Sequence, residues 1–85
     1  MDEDRLPVAR LRNLGPKSAR LLAEAGIRTI AELRVLGAAK AYRRVADKAS
    51  LNLLWAIAAG LEHRDWRELT HKEKDSLLAQ VRRLS

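Results

Sequence analysis

Residues 13–19 read Asn–Leu–Gly–Pro–Lys–Ser–Ala (NLGPKSA), a turn set between two segments with helical spacing. Gly15 breaks the pattern, and Pro16 stands where a first helical residue belongs, with its φ preset and its missing N–H costing nothing. The reading of this stretch decides the rest. If it is a tight bend between short helices, the chain is a small helical domain.

Composition agrees. The chain has 85 residues, enough for one domain with one core, and is 47% hydrophobic and 33% charged. Leu and Ala dominate the apolar set, Phe is absent, and strand formers are scarce, which favours helices. The expected fold is all-α: a compact single-domain bundle of about five short helices over 1–85, with 1–5 a flexible acidic N-terminus. The absence of cysteine leaves no disulfide, thiol nucleophile or thiolate metal site and fits a reducing cytoplasm, the expected location. The opening MDEDRLPVAR is no signal peptide, and the apolar run at 51–61 is too short to cross a bilayer.

Outward from the turn, the periodicity predicts a short helix over 6–14 with Leu6, Leu11 and Leu14 as contacts. A second runs from Pro16 to about Ala25 and stops at Gly26, a left-handed cap. Thr29 and Glu32 have capping-box spacing and open a third, ending near Gly37. Ala38, Tyr42, Val45 and Ala49 predict a fourth from Ala38 to about Asp47. Ser50 caps LNLLWAIAAGL, apolar nearly all round and expected at the centre of the bundle. Residues 65–69 read as a turn with Trp66 plugging the core. Thr70 and Glu73 cap a last helix with Leu77, Leu78, Val81 and Leu84 inward. A faint echo links LRNLGPKSA (11–19) with LRVLGAAKA (33–41) at a spacing of 22 residues.

The net charge is +6, with Arg outnumbering Lys, and points to an anionic partner, nucleic acid first. The 13–19 turn offers a place for it. Unpaired first-turn amides and the helix dipole favour a phosphate. Gly15 admits close approach, Lys17 adds a full charge and Ser18 a hydroxyl, while Arg12 and Arg20 flank the turn. A plain helix start explains the same residues, and both readings stand at this point. Lys40, Arg43, Arg44 and Lys48 lie largely along one helix side, as a secondary basic surface or simply a hydrated face. Trp55 and Trp66 are expected to fill the core rather than stack on bases. His63 and His71 lack zinc spacing and thiolate partners, and no nucleophile motif or nucleotide loop appears. The expectation is no enzyme, no cofactor, no metal and no small-molecule substrate.

The turn resembles the helix-hairpin-helix family of phosphate-backbone DNA binders, whose hairpin is similar to Gly–hydrophobic–Gly–Pro–Lys–Ser/Thr–Ala. Asn13 stands where that family prefers Gly, and Asn is the residue most tolerant of a left-handed backbone after glycine. In the echo, Val35 and Ala38 replace the gripping residues, which makes a second hairpin structural. A broader resemblance covers Leu11 to Leu78. Residues 11–45, then SLNLLWAIAAGL and the Asp65–Trp66–Arg67 turn, are similar to the C-terminal domain of the TfoX/Sxy family, bacterial regulators of competence for DNA uptake. Those regulators usually carry a separate N-terminal domain, whereas this chain starts at Met1 almost directly with the C-terminal unit. The resemblance implies a non-enzymatic regulatory module in a bacterial cytoplasm. Its expected partner is double-stranded DNA, held non-specifically by Asn13, Gly15, Lys17, Ser18, Arg12 and Arg20, or alternatively a regulatory protein, with no membrane contact.

Overall fold

A computed structural model describes residues 3–84. Five α-helices and no strands occur among them: α1 (Pro16–Glu24), α2 (Ile30–Leu36), α3 (Ala38–Val45), α4 (Leu51–Leu61) and α5 (His71–Arg83). The ends of these helices follow local chemistry. Gly15 is the N-cap of α1 and Pro16 its first residue. At the other end, Ile27 N–H reaches Leu22 O (2.8 Å) and Gly26 N–H reaches Ala23 O (3.0 Å), a Schellman stop made possible by Gly26 at φ 88°. Both predicted capping boxes are present, Thr29 with Glu32 on α2 and Thr70 with Glu73 on α5. Gly37, at φ 85°, ends α2 and starts α3 in a single residue.

Leu22, Ile27, Ile30, Leu33, Leu54 and Ile57 are fully buried and form the centre. α4 supplies more of the core than any other helix, as its apolar sequence predicts, and α3 packs against α4, α5 and α1. α5 buries no residue completely. It lays Leu77, Leu78 and Val81 on the core from outside, with the Lys74 ammonium over the Trp55 ring.

The N-terminal segment departs from expectation. No helix spans 6–14. Two 3₁₀ turns, Glu3–Arg5 and Val8–Arg10, flank an extended Pro7 (ψ 153°). The competing bonds are visible: Val8 N–H donates to Arg28 O (3.0 Å) and Ile30 N–H to Leu6 O (2.9 Å), so Pro7 bridges Thr29 instead of joining a helix. Of the three expected contacts, Leu11 and Leu14 are buried but Leu6 is 42% exposed, and Val8 is buried in its place. Within the acidic start, Met1 and Asp2 lie outside the described residues, and Asp4 holds Arg34 at 3.1 Å.

Smaller corrections follow the same logic. α3 stops at Val45 and continues as a 3₁₀ turn, Ala46–Lys48. Ser50 occupies the N-cap of α4, but its side chain makes no capping bond. Trp66 does not plug the core: it is 42% exposed and opens a 3₁₀ turn (Trp66–Glu68) that Asp65 caps by accepting from Arg67 N–H. Leu84 is 38% exposed, past the last turn that touches the core.

Candidate functional site

The turn before α1 is built around Asn13, which adopts φ 76°. A left-handed non-glycine residue needs compensation, and here it comes from the side chain. Asn13 Nδ2 donates to Arg64 O at 2.8 Å and lies 3.4 Å from Ala56 O. Arg12 donates to His63 O at 3.2 Å and lies 4.0 Å from the Asp65 carboxylate. The turn is therefore pinned to the end of α4 and the loop after it. α4 makes room at Gly60, where a Cβ would collide with the Arg12 carbonyl and press on the Leu11 side chain at 3.1 and 3.2 Å. Sequence reading passed over Gly60. A lone glycine inside an apolar helix was the signal available.

The loop that receives the turn is itself fixed. His63 is left-handed (φ 60°) and completes a Schellman motif, with Arg64 N–H on Ala59 O at 2.8 Å. Arg64 then grips Glu73 with both forks, at 2.6 and 3.0 Å, and bonds Glu62 and the Glu68 carbonyl. That fork, reinforced by the Thr70 amide, lowers the Glu73 carboxyl to about 2, and Arg67 likewise lowers Asp65 to about 2. The Arg64–Glu73 pair spans a turn between helices and leaves no periodic trace in sequence.

On the outer side of the turn, Gly15 is extended (φ −96°) and a Cβ there would meet nothing within 4 Å. Neither backbone angle nor internal crowding calls for glycine at this position. The amides of Gly15, Lys17 and Ser18 have no partner among the described residues. Lys17 and Ser18 line a notch of about 360 Å³ with Leu21, Lys48, Ser50 and Asn52. The start of α4, with its own uncapped first turn, thus faces the same space as the start of α1. Lys17, Lys48 and Arg20 are exposed and make no ion pair among the described residues.

The structure divides the residues expected to act together. Asn13 and Arg12 hold the turn from behind. Gly15, Lys17 and Ser18 face outward, and Arg20 lies exposed on α1. Lys48 leaves the secondary basic group and joins Lys17, whereas Lys40, Arg43 and Arg44 line a different groove with Leu36 and Leu84. The echo also differs in backbone: Val35, the counterpart of Asn13, is helical and 88% exposed. Gly15 and Gly37 both precede helices, but only Gly37 is left-handed. Among the described residues no group of three or more His, Cys, Asp or Glu is placed to hold a metal ion, and no helix is long and apolar enough to cross a membrane.

A basic all-α domain with its first hairpin clamped to a central apolar helix, and with amides on the outer side of the turn that have no partner among the described residues, is the class of protein these features define. The chain belongs to the TfoX C-terminal domain family, whose model matches residues 4–81. Its fold is similar to that of an uncharacterised protein from Listeria monocytogenes, with a TM-score of 0.79 and 25% identity over 92% of each chain. No curated protein matches it.

Proposed function

We propose that the domain is a non-enzymatic regulatory module that grips the backbone of double-stranded DNA, weakly and without sequence preference, at the 13–19 turn. The observation that carries this reading is the notch at the start of α1, lined by Lys17, Ser18 and Lys48, where among the described residues the amides of Lys17 and Ser18 have no partner and neither lysine makes an ion pair. Amides and lysines together match a phosphate, which brings acceptor oxygens and charge at once. Gly15, with open space at its Cα, lets the backbone of a polyanion come close.

Such a grip touches no base edge, so register on the duplex is free and affinity depends on salt. With one hairpin the expected dissociation constant lies near the non-specific range, about 10⁻⁴–10⁻⁶ M. A second module or partner in a competence-type regulator would tighten binding by linkage. The test is fluorescence anisotropy of a short labelled duplex across a salt series. Binding should weaken steadily with salt and collapse in Lys17→Glu. Binding indifferent to that charge reversal rejects the hairpin grip. The alternative role, docking a regulatory protein, draws on a separate face.

A further inference from the structure

α2, α3 and the end of α5 meet in a shallow groove that shares no lining residue with the Lys17 notch. Leu36 and Leu84 give it an apolar floor, and Lys40, Arg43 and Arg44 line it from α3. An adjoining hollow of about 270 Å³ shares Leu36, Lys40 and Leu84 and adds Arg83. Another, of about 350 Å³, shares Leu36 and Arg44 and adds Val35 and Glu32, whose carboxylate is taken up by the Thr29 cap. Single exposed apolar residues need no explanation, but this arrangement is a contiguous patch. Val35, in the last turn of α2, is 88% exposed, where a β-branched side chain helps neither the helix nor the core. Around it stand four cations, Lys40, Arg43, Arg44 and Arg83, and none makes an ion pair among the described residues.

We propose that this face docks an acidic amphipathic helix of another protein, with its apolar side chains over Val35, Leu36 and Leu84 and its carboxylates on Lys40, Arg43, Arg44 and Arg83. Charge complementarity selects this occupant. A second copy of the chain packed through the same patch by two-fold symmetry would set the cationic rim against itself. A duplex would satisfy the cations and leave the apolar floor without a counterpart, because its outer surface is sugar and phosphate. An acidic helix with apolar residues at i, i+3, i+4 and i+7 satisfies both, through helix-in-groove burial and forked arginine–carboxylate bonds. The assignment does not rest on the phosphate reading of the 13–19 turn and stands or falls separately.

The test titrates the full ¹⁵N-labelled chain with a synthetic Glu- and Leu-containing peptide in that register, following amide shifts. Shifts should concentrate on residues 35–44 and 83–84. Val35→Asp and Arg44→Glu, both at exposed positions, should each weaken binding about tenfold or more, a loss of one decade in affinity. Lys17→Glu should leave peptide binding unchanged. Three results overturn the proposal: no saturable shifts at this face, equal binding of a scrambled peptide of the same composition, or loss of duplex binding in Arg44→Glu as large as in Lys17→Glu. The last result would give the face to nucleic acid.

Discussion

The side-chain amide of Asn13 donates to the carbonyl of Arg64 across 51 positions of sequence. Arg64 in turn holds Glu73 in a two-pronged ion pair at the start of α5. The outward amides of the first hairpin are thereby referenced, through one residue, to the cap of the last helix. A turn gripping phosphate by its main chain needs such support, because displaced donors lose most of a hydrogen bond.

Asn13 contributes twice, by tolerating φ 76° and by bonding the 56 and 64 carbonyls. Asn13→Gly keeps the first contribution and loses the second, so it should cost about 1 kcal/mol. Asn13→Ala loses both, adding about 1–2 kcal/mol for a left-handed alanine. Urea unfolding should rank wild type above Gly and Gly above Ala. An alanine variant as stable as wild type would show that the turn is not held in this conformation.

Gly60→Ala tests the clamp from the other side. In an open helix the change would stabilise by about 1 kcal/mol. Here the new Cβ meets the Arg12 carbonyl, which is backbone and cannot rotate aside, and crowds Leu11. Overpacking of this kind costs about 1–3 kcal/mol, so the expected outcome is a lower urea midpoint and shifted amide resonances over residues 11–19. A rise in stability would mean that the hairpin does not lie against α4.

How far sequence alone reached can be read from particular residues. Caps and stops were legible because their chemistry is local: Gly26, Thr29 with Glu32, Gly37, and Thr70 with Glu73 all act within a few positions. The left-handed Asn13 was legible through the resemblance to hairpins that carry Gly at that position. What stayed hidden depends on contacts between distant segments. Pro7 is drawn to Thr29, more than twenty positions away, which periodicity does not record. In the site, the outward group Gly15, Lys17 and Ser18 was readable from the motif. The pairing of Lys48 with Lys17 was not, because it depends on how the start of α4 packs beside the start of α1.

The Arg64–Glu73 pair predicts the acid limb of stability. Glu73 titrates at about 2 in the folded chain against an ordinary 4.5, lowered first by Arg64 and then by the Thr70 amide. A depressed folded value means that the unfolded chain takes up the proton first. The stabilisation is therefore whole above about 4.5 and is lost as pH falls towards about 2. Asp65, lowered from 3.8 to about 2, adds to the same window. Melting temperature measured through this range should fall steeply for wild type and less steeply for Glu73→Gln, which starts lower at neutral pH. Parallel acid limbs would remove Glu73 from the account.

Lys48 provides the sharpest division between the two basic faces. Sequence places it with Lys40, Arg43 and Arg44, whereas the structure seats it in the notch with Lys17 and Ser18. If a phosphate occupies that notch, Lys48→Ala should weaken duplex binding and lower the slope of log affinity against log salt by about 0.9, the share of one phosphate contact. Lys40→Ala, in the other groove, should leave that slope unchanged. Lys48 is exposed and unpaired among the described residues, so its removal should leave the thermal midpoint where it was. Equal effects of the two alanine variants on the salt slope would mean that DNA is held by diffuse charge along α3 and not by the start of α1.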